Sequence, residues 1–99
     1  MGNSYTGISE KEFQQQVIDL AKLRGYEFVY HTWSSKHSPT GFPDLIMLKG
    51  KKMIVAELKV GKNQLSAEQY FWLCAYGEIT KNVFVWYPED WDEIIGRVI

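Results

Sequence analysis

The stretch from residue 44 to residue 59 constrains this chain more than any other. Two apolar runs, Asp44-Leu45-Ile46-Met47-Leu48 and Met53-Ile54-Val55-Ala56-Glu57-Leu58-Lys59, are separated by Lys49-Gly50-Lys51-Lys52. Runs of this length joined by a short polar connection with a glycine predict a β-hairpin. Each run carries its charged groups at an end, so pairing brings Asp44 and Glu57 close to opposite each other at one edge of a sheet. Side chains alternate across a strand, which puts Glu57 and Lys59 on one face and buries Leu58 on the other.

The flanking segments read as alternating helices and strands. Ser9-Glu10-Lys11-Glu12 has the S-x-x-E form of a capping box, and Phe13, Val17, Leu20 and Ala21 follow at helical spacing. A helix over residues 10–23 is predicted, stopped by Gly25. Residues 26–32 alternate and are rich in aromatic and β-branched types, which predicts a strand, and residues 33–43 are rich in Ser, Pro and Gly, which predicts a loop. A second capping signature, Ser66-Ala67-Glu68-Gln69, opens a helix through Tyr76, with Gly77 as its stop. A strand over residues 82–87 and a short helix over residues 91–98 complete the chain. The order α-β-β-β-α-β-α predicts an α/β fold with a mixed central sheet flanked by helices. With 99 residues, no repeat and no linker, one domain over 1–99 is expected.

Composition narrows the function classes. Hydrophobic residues make up 45% of the chain, which suits a folded core and argues against disorder. No apolar run approaches the roughly 18 residues of a membrane span, and Met1-Gly2-Asn3-Ser4 lacks the regions of a signal peptide, so a cytoplasmic protein is expected. The single cysteine, Cys74, rules out an internal disulfide and a multi-cysteine zinc site. Its place in Tyr70-Phe71-Trp72-Leu73-Cys74-Ala75 predicts a core residue. The net charge of −1 hides an uneven distribution: from Lys36 to Lys62 six lysines stand against two acids, a balance of +4, and the rest carries −5. Such a run often serves solubility alone. Here the two acids inside it are Asp44 and Glu57.

Converging carboxylates in an apolar setting repel each other, and a divalent cation relieves that repulsion. Mg²⁺ commonly takes one or two carboxylates together with water and substrate phosphate. A lysine beside such a pair can orient the attacking water and stabilise charge on the phosphate. The spacing D-x(12)-E-x-K therefore points to phosphodiester hydrolysis, with Asp44 and Glu57 as ligands and Lys59 beside the nucleophile. The ordinary alternative is a surface cross-strand ion pair.

The segments Gly41-Phe42-Pro43-Asp44-Leu45, Val55-Ala56-Glu57-Leu58-Lys59 and Gly61-Lys62-Asn63-Gln64-Leu65-Ser66-Ala67-Glu68-Gln69 together resemble the virus-type replication-repair nuclease (VRR-NUC) family of the PD-(D/E)xK superfamily. The likeness runs from the first helix to the strand ending at Tyr87 and is to a stand-alone bacterial or bacteriophage form. It implies a restriction-endonuclease-like α-β-β-β-α-β core. It also implies metal ligation by Asp44, Glu57 and the backbone carbonyl of Leu58, a catalytic Lys59, a site glutamine at Gln69 and a first-helix site acid at Glu12. Gln69 competes with its own capping box, as Glu12 does with Ser9, and Glu10 lies in the same turn. The implied activity is Mg²⁺- or Mn²⁺-dependent cleavage of branched DNA, such as four-way (Holliday) junctions, by a homodimer in a bacterial or phage-infected cell. A non-catalytic nucleic-acid-binding module of the same fold is the main rival. A plain protein-interaction domain would leave the +4 segment and the converging acids unexplained.

Lys36 and His37 in the loop, with Lys51 and Lys62 in the basic segment, are candidate phosphate contacts, against a flexible polar loop and a solvated hairpin. His31 and His37 lack the mutual spacing of a zinc site. Trp33, Phe71, Trp72, Tyr76, Phe84 and Trp86 are candidates for base stacking. Their helical and strand spacing favours core or interface roles.

Overall fold

In a computed structural model that describes residues 7–33 and 36–99, the chain forms α1 (Glu10–Leu23), β1 (Phe28–His31), β2 (Leu45–Lys49), β3 (Lys52–Leu58), α2 (Ala67–Gly77), β4 (Val83–Trp86) and α3 (Trp91–Arg97), with a 3-10 turn, Pro88–Asp90, before α3. The element order is the expected one. Ser9 caps α1 by accepting from the Glu12 N–H, and Glu12 accepts from the Ser9 N–H in return, which satisfies two donors that a helix start otherwise leaves open. The strand expected from Tyr26 begins at Phe28 instead. Gly25 turns at φ +90°, and the Tyr26 N–H bonds back to the Ala21 carbonyl, so Tyr26 closes the end of α1 and is buried there.

The four strands form one mixed sheet in the order β1-β2-β3-β4, with β1, β2 and β3 antiparallel and β4 parallel to β3. The parallel pair needs a crossover, and α2 supplies it. One face of the sheet, made by Leu45, Met47, Ile54, Ala56, Leu58 and Trp86, packs on Phe13, Val17, Ile18 and Ala21 of α1 and on Ile94 and Val98 at the C-terminal end. This is the main core. Leu58 thus buries itself on the face away from Glu57, as alternation requires.

The other face is covered in part. α2 packs across β3 and β4, whereas Phe28, Tyr30 and Leu48 of β1 and β2 stay exposed. Cys74 is exposed, contrary to its expected place in the core. A helix lying on a sheet buries one stripe, and in α2 that stripe runs through Leu73; Tyr70, Phe71 and Cys74 point away from it. Among the described residues, no helix is long and apolar enough to cross a membrane.

The hairpin's lysines hold the chain's end. Lys49 donates to the Arg24 carbonyl at 2.7 Å and Lys52 to the Arg97 carbonyl at 2.8 Å, while Arg24 donates to the carbonyls of Ile95 and Val98. Two of the three lysines at the hairpin turn are therefore structural, Lys49 closing the end of α1 and Lys52 holding the end of α3.

Candidate active site

The site lies at the other end of the hairpin. Thr32 donates through its hydroxyl to the Pro43 carbonyl and through its backbone to the Asp44 carbonyl, so pairing continues one residue past β1 and holds Asp44 at the start of β2. The register Leu45↔Ala56 then sets Asp44 across from Glu57. One carboxylate oxygen of Asp44, Oδ2, accepts the Leu58 N–H at 2.8 Å. A strand residue's N–H and C=O face the same neighbour, so the Leu58 carbonyl lies along the edge that faces Asp44.

Glu57 is 2% exposed, an unusual place for a carboxylate. Its Oε2 accepts from the Gln69 side-chain amide at 2.9 Å and lies 3.7 Å from the Lys59 ammonium. Its Oε1 is buried with no hydrogen-bond partner among the described residues. Burial pushes the Glu57 carboxyl up to about 8, helped by the Asp44 carboxylate close beside it and opposed by the Lys59 ammonium. The Glu57 carboxyl therefore holds its proton to higher pH than an ordinary glutamate does.

Gln69 does both of the jobs that its position allowed. Its Oε1 accepts from the Ser66 N–H at 2.9 Å, completing the capping box of α2, and its Nε2 reaches Glu57. Gly41, at φ +84°, makes this placement possible: a Cβ there would lie 2.5 Å from the Glu68 carbonyl carbon and 2.7 Å from the Gln69 nitrogen. Phe42 packs edge-on against Trp72, whose indole donates to the Thr40 carbonyl. The loop is thus clamped to the start of α2, and both Asp44 and Gln69 are set by that clamp.

The first-helix acid requires a correction. Glu12 turns back to Ser9, which holds its carboxyl below the usual range, and it is fully exposed. Glu10 is the acid of α1 that senses Asp44 and Lys59: burial and the Asp44 charge push its carboxyl up, and Lys59 pulls it down. The two acids are two positions apart, about 200° around a helix, so the one that completes the cap cannot also face the sheet edge.

Lys51 is likewise not brought to the site. It occupies the hairpin turn, about 20 Å along β3 from Glu57 at roughly 3.3 Å per residue. Lys62 follows β3 on the Lys59 side and is exposed, and Lys36 and His37 lie in the exposed loop before Asp44. Trp33, expected in a core or interface, is 65% exposed and stacks on His37. Asp44 and Gln69 line an open cleft of about 280 Å³ together with Thr32, Trp33 and Phe42.

These groups suit an oxygen-seeking divalent cation. Glu57 presents a buried oxygen with no hydrogen-bond partner among the described residues, Asp44 lies beside it, and the Leu58 carbonyl faces the same edge. Among the described residues no group of three or more His, Cys, Asp and Glu side chains that could hold a metal ion converges; Mg²⁺ is also held by one or two carboxylates together with water and substrate oxygens. No protein-family model, curated protein or solved structure matches the chain.

Proposed function

We propose that this protein is a metal-dependent deoxyribonuclease with a restriction-endonuclease-like core, a structure-selective endonuclease that hydrolyses phosphodiester bonds in branched DNA such as four-way junctions. One observation carries the reading: a buried Glu57 oxygen without a hydrogen-bond partner among the described residues, beside Asp44 and with Lys59 in reach. Leaving such a group unsatisfied costs about 1–3 kcal/mol or more, a cost that a fold with no use for it would remove by substituting an apolar residue.

Asp44, Glu57 and the Leu58 carbonyl would hold Mg²⁺ or Mn²⁺. When bound, the ion supplies Lewis-acid polarisation of the phosphate and a lowered pKa for a water. Lys59, with its side chain 12% exposed, neutralises charge that builds on the phosphate oxygens and orients the attacking water. Gln69 fixes the Glu57 carboxylate, and Glu10 takes the first-helix role in place of Glu12. Lys62, Lys36 and His37 are assigned to phosphate contacts.

The preference for branched DNA, the homodimer and a cytoplasmic setting in a bacterial or phage-infected cell belong to the same proposal and rest on the family resemblance. The dimer has a physical reason, since two symmetry-related cuts need two sites. The uncovered apolar face of Phe28, Tyr30 and Leu48 offers a second copy a contact area of the kind that marks protein interfaces.

The test incubates pure protein with labelled linear duplex, flap and four-way-junction DNA, with and without Mg²⁺ or Mn²⁺. Cleavage that needs the cation and is fastest on the junction is expected. DNA binding without cleavage under every metal condition would instead favour the non-catalytic module.

A further inference from the structure

Trp33 is the one large aromatic side chain that borders the catalytic cleft and stays mostly in solvent among the described residues. One face of its indole lies on the His37 ring, with centroids 4.5 Å apart and planes 22° apart. A neighbour stacked this way fixes the ring's plane, and 65% of the residue remains exposed. Trp33 and Thr32 also line a second cleft, of about 370 Å³, between α1 and the end of β1, with Lys11, Gln14, Gln15 and His31 on its walls. The Gln15 amide is held by Asp19. The cleft's remaining polar side chains include the Lys11 ammonium and the Gln14 amide, and no carboxylate is among the residues lining it. The cleft of Asp44 and Gln69, the exposed ring and the cleft of Lys11 and Gln14 thus follow one another along the surface.

We propose that Trp33 is a stacking platform for an unpaired nucleobase next to the scissile phosphate, with the strand's sugar–phosphate backbone continuing into the cleft of Lys11, Gln14 and His31. A duplex cannot offer a base face to an indole without unstacking, whereas a single-stranded arm or an opened branch point can. The substrate class is therefore DNA with an unpaired nucleotide beside the cut. This rests on the nuclease reading for the word "scissile". The platform itself is a binding property and is measured without turnover.

The experiment measures binding of an eight-nucleotide single-stranded thymidine oligomer and of a blunt duplex in EDTA, for the parent, Trp33→Ala and Trp33→Phe. Melting curves run alongside, because an exposed ring can be replaced without loss of fold. Stacking by one base predicts that Trp33→Ala weakens single-strand binding by about tenfold or more. Duplex binding should stay within about twofold, and Trp33→Phe should keep most of the single-strand affinity. Intrinsic fluorescence should be quenched by the oligomer in the parent and much less in Trp33→Phe, since Trp72, Trp86 and Trp91 lie outside both clefts. Single-strand affinity unchanged in Trp33→Ala, or lost equally for the duplex, overturns the proposal. If the parent cuts no DNA with any metal yet shows the Trp33-dependent binding, the nuclease reading fails and the platform stands.

Discussion

Two helices of this protein open with the same device, and they end in different roles. Ser9 with Glu12 and Ser66 with Gln69 form capping boxes of the same geometry, each with reciprocal hydrogen bonds of 2.9 to 3.1 Å. Glu12 ends there, exposed. Gln69 continues to Glu57 and joins the site. Part of the difference is chemical: an amide has an acceptor for the cap and a donor left over, while a carboxylate only accepts. The rest is positional, because Gly41 lets the loop before Asp44 press against the start of α2. A capping signature therefore says that a helix begins and leaves open what its side chain can still reach.

The largest effect is expected at Lys59, which takes part in neither cap and whose ammonium lies 3.7 Å from Glu57. Lys59→Ala should abolish single-turnover cleavage while equilibrium DNA binding stays within a few-fold, since a contact made mainly in the transition state acts on rate. A variant that cuts at near-parental rate would remove Lys59 from the chemistry.

Gln69→Glu breaks the comparison directly. It makes the second box like the first, keeping the cap and replacing the donor at Glu57 with a third carboxylate. Cleavage should fall by roughly 10- to 100-fold, the usual cost of disturbing a group that orients a metal-binding carboxylate. Circular dichroism should show α2 retained. An unchanged rate would mean that the bond to Glu57 is incidental.

Glu57 sharpens it through pH. Its carboxyl ionises at about 8 in the fold against 4.5 ordinarily, so the unfolded chain loses its proton first. In metal-free buffer the stability present below pH 4.5 should be lost as pH rises to about 8, with a slope of up to about 1.4 kcal/mol per pH unit. Glu57→Gln should flatten that slope in thermal melts. Mg²⁺ or Mn²⁺ should stabilise the parent increasingly as pH rises toward 8, because the cation and the proton compete for the same oxygens.

The smallest effects separate the two acids of α1. Glu12→Ala should lower the melting temperature by a few degrees through loss of the cap and leave the cleavage rate within about twofold. Glu10→Ala should reverse the pattern, slowing cleavage several-fold with little change in melting. The same outcome for both would erase the distinction drawn between them.

Much of this was legible before any coordinates. Period-3.6 and period-2 patterns, two capping boxes and a glycine-bearing connection fix short-range geometry, and these placed every helix and strand in the right order, with Asp44 across from Glu57. The misreadings were of a different kind. Cys74 and the aromatics beside it form an apolar run, yet a helix buries one stripe of such a run, and which stripe depends on where the sheet lies. Lys49 and Lys52 read as part of a basic patch and instead hold the carbonyls of Arg24 and Arg97, residues 25 and 45 positions away.

The sequence by itself determined the elements, the hairpin register and the convergence of Asp44, Glu57 and Lys59, because those follow from neighbours within a strand or a turn. Tertiary structure alone decided that Glu10 rather than Glu12 feels the Asp44 charge, that Gln69 spans cap and site, that Lys51 is remote, and that one oxygen of Glu57 is left without a partner among the described residues. Each of these depends on how a helix is rotated or how closely two distant backbones approach, and the 2.5 Å that a Cβ on Gly41 would leave to Glu68 is a distance that no local pattern encodes.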